Sequence, residues 1–85
     1  MATPLSITDH SFDAQVLKCD IPVLADFEAA WNSSTKKNAP HLSEIAAEYE
    51  GRLKIVRLDI DANMTVAQTY SVFNLPTMIL FKNGQ

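Results

Sequence analysis

The sequence predicts an α/β domain built on a largely parallel sheet. Three observations lead there. Val23-Leu24-Ala25-Asp26-Phe27 is an almost uninterrupted apolar run, as expected of a strand covered on both faces. Ala39, Leu42, Ile45, Ala46 and Tyr49 recur at the i, i+3, i+4 spacing of one helix face. Strand-like and helix-like segments alternate as β-α-β-α-β-α-β, and parallel strands need crossovers that helices on the sheet faces supply. The 85 residues make one domain at most.

Each element has a local signal. Leu5 to Ile7 reads as a brief strand. Thr8 or Asp9 can cap a helix that holds Phe12, Val16 and Leu17 on one face. Cys19-Asp20 leads out of it, and Pro22 precedes the strand at Val23–Phe27. Asn32-Ser33-Ser34-Thr35 places four capping residue types before the long helix. Pro40 lies inside that helix and should kink it, because the Lys36 carbonyl loses its donor. Gly51 ends it in the left-handed conformation. Leu53 to Ile60 is the third strand. A short helix from about Asn63 to Tyr70 presents Val66, Ala67 and Tyr70. Leu75-Pro76-Thr77 leads into the strand Met78-Ile79-Leu80-Phe81. Asn83-Gly84 is a strong hairpin mark, since both turn positions need positive φ. A hairpin at that point calls for a returning strand, which is truncated away, supplied by another chain or simply not there; the plainer reading makes Asn83-Gly84 a frayed tail.

Composition narrows the function. The net charge of −3 is carried by interspersed residues, and the longest basic run is Lys36-Lys37. Nucleic-acid binding, which uses a clustered basic face, is therefore not expected. A single cysteine, Cys19, excludes an internal disulfide and a cysteine zinc cluster. His10 and His41 match no metal-ligand spacing, so neither a metal nor another cofactor is expected. No apolar run approaches the ~20 residues of a membrane span. The start of the chain lacks a leader pattern, and the expected location is cytoplasmic. The acceptor patterns Asn32-Ser33-Ser34 and Asn63-Met64-Thr65 matter only in a secreted protein.

Several segments together resemble the thioredoxin family. Val23-Leu24-Ala25-Asp26-Phe27-Glu28-Ala29-Ala30-Trp31 is similar to the strand that leads into its active site. Ala39-Pro40, Leu42, Glu44-Ile45-Ala46 and Tyr49 resemble its second helix. Asp59-Ile60-Asp61, Tyr70, Leu75-Pro76-Thr77 and Phe81-Lys82-Asn83-Gly84 match its second half. The resemblance runs from about Ile7 to Gln85. It implies a thioredoxin-like fold: a mostly parallel central sheet with helices on both faces, here truncated after the fourth strand. It also implies a single domain over residues 1–85, incomplete at the C-terminus. The family's last strand and final helix would lie beyond Gln85. Without them one sheet edge is open and one apolar face is partly uncovered, which favours self-association.

The resemblance also locates a site. Thioredoxins act through Trp-Cys-Gly-Pro-Cys at the start of the second helix, where one thiolate attacks a disulfide and the other resolves it. The matching segment is Trp31-Asn32-Ser33-Ser34-Thr35, with Asn32 and Thr35 at the two cysteine positions. An amide and a hydroxyl cannot perform thiol exchange, so no catalytic residue is expected. Cys19 falls at the opposite end of the strands and should be an inert, partly exposed thiol.

Asp26 matches the family's proton-relay aspartate. A carboxyl in an apolar strand should resist ionisation, and hydrogen bonding to Thr35 or a water is the expected role. Pro76 matches the family's cis-proline, which helps dock an extended substrate. Trp31 either contacts partners or covers the helix start. Glu28 departs from the family's usual tryptophan, and Ser71 from its usual glycine. The segment Asn32–Thr35 is read mainly as a helix cap, with an anion site aided by Lys36 and Lys37 as the sharper possibility.

The implied function is that of a redox-inactive thioredoxin-like domain. It would bind an extended peptide or protein partner non-covalently through Trp31, Ser33, Ser34, Leu75, Pro76 and Thr77. The alternative is an engineered or truncated form of a thioredoxin protein-disulfide reductase of cell redox homeostasis whose two cysteines were replaced.

Overall fold

The computed structural model describes residues 4–29 and 31–84, with Ser34 described for its backbone alone. Four strands, β1 (Leu5–Ser6), β2 (Val23–Glu28), β3 (Lys54–Asp59) and β4 (Thr77–Phe81), form one sheet in the order β1-β3-β2-β4. β1 and β2 both run parallel to β3, while β4 pairs antiparallel with β2. Two α-helices, α1 (Ser33–Glu48) and α2 (Met64–Thr69), connect the strands. The expected α/β architecture is the one observed.

Alternation along β2 divides the core. Val23, Ala25 and Phe27 face one side with Val56 and Leu58, and join Ile7, Phe12, Val16, Val66, Ala67, Val72 and Phe81 in the larger cluster. Phe12, Tyr70 and Phe81 tie its elements together through tilted and edge-on ring contacts at 5.1–5.7 Å. Leu24 faces the other side and packs with Ile55, Leu42 and Ala46, the last two contributed by α1. Helices thus cover both faces, and Asp26 lies on the α1 side. α1 runs unbroken through Pro40. No helix among the described residues is long and apolar enough to cross a membrane.

The first helix differs from its expectation. Residues Asp13–Leu17 form a single π-type segment in which the Lys18 N–H bonds the Asp13 carbonyl at 3.0 Å. Thr8 and Ser11 close the turn ahead of it. The Ser11 N–H donates to Thr8 Oγ1 and the Thr8 N–H donates to Ser11 Oγ, the reciprocal arrangement of a capping box. Asp9 serves another helix entirely. Its two carboxylate oxygens accept the N–H groups of Thr65 and Val66 at 3.1 and 2.9 Å, capping α2. The Asp9 N–H in turn donates to Asn63 Oδ1. Asn83 and Gly84 both have positive φ (55° and 81°), as the turn signal requires. A Cβ on Gly84 would approach the Leu17 carbonyl oxygen to 3.1 Å, so this turn packs directly on the π-type segment.

Candidate functional site

The sheet brings three sequence-distant segments to one end. β2 ends at Glu28, and the chain passes through Ala29 to Trp31 and into α1 at Ser33. β4 runs antiparallel, so its first residue, Thr77, pairs with Phe27 near the end of β2. Leu75-Pro76 therefore lies beside the segment that leads into α1. The Leu75–Pro76 peptide bond is cis. Pro76 is exposed, and Leu75 and Thr77 are half-buried. The Thr77 hydroxyl donates to the Asn74 carbonyl. Backbone bonds from the Asn32 N–H to the Ala29 carbonyl and from the Thr35 N–H to the Asn32 carbonyl wind the entry to α1. Ser33 is exposed, and the side chain of Ser34 lies outside the described residues.

Trp31 is 67% exposed, so it does not cover the helix start. Its indole N–H donates to Asp61 Oδ2 at 2.7 Å, and the Asp61 N–H donates to Asp59 Oδ1. The ring is thereby tethered to the turn after β3 while its faces stay open. Beyond Asp61 lies a cleft of about 280 Å³ lined by Ile60, Met64, Ala67, Gln68, Val72 and Phe73. Phe73 and Met64 are exposed large apolar side chains on its rim. Neither Asp61 nor this cleft is assigned a role by the sequence patterns. The one sign is Asp59-Ile60-Asp61, a segment that matches the family without indicating a contact to Trp31.

Thr35 is half-buried and fully engaged. Its hydroxyl donates to the Ala29 carbonyl at 2.9 Å and accepts the Ala29 N–H at 3.3 Å. This corrects the expected bond between Thr35 and Asp26. Thr35 closes on the backbone of its own loop, and Asp26 finds its partners within the sheet. The Asp26 carboxyl is buried at 3% exposure and shares a face of β2 with Glu28. Burial, reinforced by the adjacent Glu28 charge, pushes its pKa up to about 7, against the opposing pull of Arg57. Arg57 itself forms a two-armed contact with Glu28 Oε1, through Nε at 3.1 Å and Nη2 at 2.9 Å.

Cys19 is half-buried and packs against the larger core cluster just ahead of β2, at the strand end remote from Trp31. The length of β2 separates this thiol from the Trp31–Pro76 end. No group of three or more metal-ligating side chains occurs among the described residues.

The profile of the Thioredoxin family matches residues 3–85. A thioredoxin of Pseudomonas aeruginosa is 45% identical over 80 residues, covering 94% of this chain and 74% of its own length. Thioredoxin 1 of a Nostoc species is 41% identical over 85 residues, covering all of this chain and 79% of the relative. A bifunctional thioredoxin reductase/thioredoxin of Mycobacterium leprae is 46% identical over 81 residues, which is 18% of that protein. With its four-stranded sheet, its helices on both faces and these matches along its length, the chain belongs to the thioredoxin family.

Proposed function

We propose that this thioredoxin-family chain binds extended polypeptide segments non-covalently and does not exchange disulfides. One observation carries the reading: the docking end is built, but it holds no thiol. Exposed Trp31 and the cis Leu75–Pro76 segment flank the start of α1, while Asn32 and the backbone-bound Thr35 stand there in place of cysteines. Disulfide exchange requires a thiolate nucleophile and a resolving thiol. An amide and a hydroxyl closed onto Ala29 provide neither. Ser33, Leu75, Pro76 and Thr77 supply the remaining contact surface in this reading.

The test has two arms. In an insulin-reduction assay with dithiothreitol, the chain should give the rate of the protein-free control; any acceleration overturns the redox-inactive half. Titration with a cysteine-free extended peptide, followed by backbone amide shifts, should perturb Trp31, Thr35 and Thr77 saturably. Absence of shifts at these positions overturns the binding half.

A second assembly property is supported by β4. It is an edge strand of the sheet, and it exposes Met78 and Leu80 on the α1 side. An edge strand without a charge, proline or bulge lacks the usual protections against pairing. We propose that copies of the chain associate through this strand.

A further inference from the structure

Asp26, Glu28 and Arg57 form a charged cluster that the peptide-binding reading does not use. Asp26 and Glu28 are alternate residues of β2 and project from the same face. Arg57 is the β3 residue directly opposite Asp26, yet its Nε and Nη2 both go to Glu28 Oε1, at 3.1 and 2.9 Å. The Glu28 charge also acts on Asp26 and favours its protonated form. Two carboxyl groups two residues apart on one strand face repel when both are ionised, so one of them favours the protonated form. That proton belongs to Asp26, which is buried to 3% exposure, whereas Glu28 holds the guanidinium.

Loss of the proton would set two carboxylates side by side against one cation. Such a pair cannot stay together unchanged. Asp26 sits mid-strand between Arg57 on β3 and Met78 on β4 and is only 3% exposed. Glu28 is the last residue of β2, and its side chain retains 13% exposure. Arg57, with 34% of its side chain exposed, is a cross-strand neighbour of both acids. The groups facing the cluster do not compete. From β3, Asp59 lies opposite Glu28, is exposed and accepts the Asp61 N–H. β4 contributes Met78 and Leu80, which carry no charge. From α1, Lys36, Lys37, His41, Glu44 and Glu48 are all exposed.

We propose that Asp26, Glu28 and Arg57 form a proton-operated switch. While Asp26 is protonated, Arg57 is clamped on Glu28. When the proton leaves, the guanidinium transfers to Asp26, and the Glu28 carboxylate is released to water at the end of β2. The released charge appears where β2 runs on to Ala29 and Trp31, so the proton state of a buried acid is written onto the surface beside the docking end. The transfer takes place near neutral pH, where Asp26 titrates.

The test follows the side chains directly. The chain is titrated from about pH 5 to about pH 9, bracketing the midpoint. Carboxyl carbon resonances of Asp26 and Glu28 and the Arg57 Nε–H resonance are recorded for the wild type, Asp26→Asn and Glu28→Gln. In the wild type, all three resonances should move with one common midpoint. In Asp26→Asn the Arg57 transition should vanish. In Glu28→Gln, Arg57 should already rest on Asp26, and the Asp26 midpoint should fall by about one pH unit or more. A flat Arg57 resonance in the wild type while Asp26 titrates overturns the switch. An unchanged Asp26 midpoint in Glu28→Gln does so as well. The wild-type titration decides the matter even if a variant fails to fold.

Discussion

Replacing Asp26 by asparagine should stabilise the chain, and the gain should grow with pH. The buried Asp26 carboxyl has its pKa raised from 3.8 to about 7. The folded state therefore holds a proton that the unfolded chain releases throughout that interval. Stability linked to this proton is fully present below the unfolded value. It drains away as pH rises, until the folded group also ionises. Each pH unit across that interval is worth about 1.36 kcal/mol, so the ceiling on the loss between about pH 4 and about pH 8 is about 4 kcal/mol. Transfer of Arg57 to the ionised Asp26 would bring the loss below that ceiling. Asparagine carries no charge at any pH and nearly keeps the shape of the aspartic acid side chain.

Other acid-sensitive groups cancel when variant and wild type are compared at the same pH. Urea unfolding at about pH 5 and about pH 9 is the assay. Between those two conditions the advantage of Asp26→Asn should widen by about 3 kcal/mol at most. With a urea slope near ~1 kcal/mol/M for a domain of this size, the separation of midpoints should grow by more than about 1 M. Equal separation at the two pH values would refute the reasoning, since the variant would then act through packing and not through a proton.

Two further outcomes are expected. Ser71 has a φ of 57°, and a left-handed non-glycine residue costs roughly 1–2 kcal/mol, so Ser71→Gly should raise the melting temperature by a few degrees; a fall would show that the serine side chain is needed there. Leu80 is 59% exposed on the edge strand, so Leu80→Lys should shift sedimentation at high concentration towards monomer, and an unchanged distribution would place any association elsewhere.

Much of the fold was legible because local patterns and tertiary structure agree. The apolar run at Val23–Phe27 became the strand buried on both faces, and the periodicity of Leu42, Ile45 and Ala46 marked the face that α1 buries. What escaped depends on partners far away in the chain. Asp9 has the chemistry of a cap, but nothing near it shows that it caps α2 instead of the following segment. The separation of 57 residues between Asp9 and Val66 is closed only when the sheet forms. The partners of Asp26 depend on parity and register together. Alternation alone places Asp26 and Glu28 on one face, but the pairing that sets Arg57 opposite Asp26 exists only once β2 and β3 are aligned. Thr35 misled for a related reason. A hydroxyl at the start of α1 can turn towards the sheet or towards its own loop, and the tight turn from Ala29 favours the loop.

The cap supplied by Asp9 makes α2 a conditional element. A helix of six residues is too short to persist by itself in water. Its leading amides are held by a carboxylate from the beginning of the chain, and Asn63 ties the same two regions together again. The anchor of α2 thus depends on how the residues that follow β1 are placed by its pairing with β3. The cleft beside Trp31, one wall of which is α2, therefore owes its shape to a side chain more than 50 residues away in sequence.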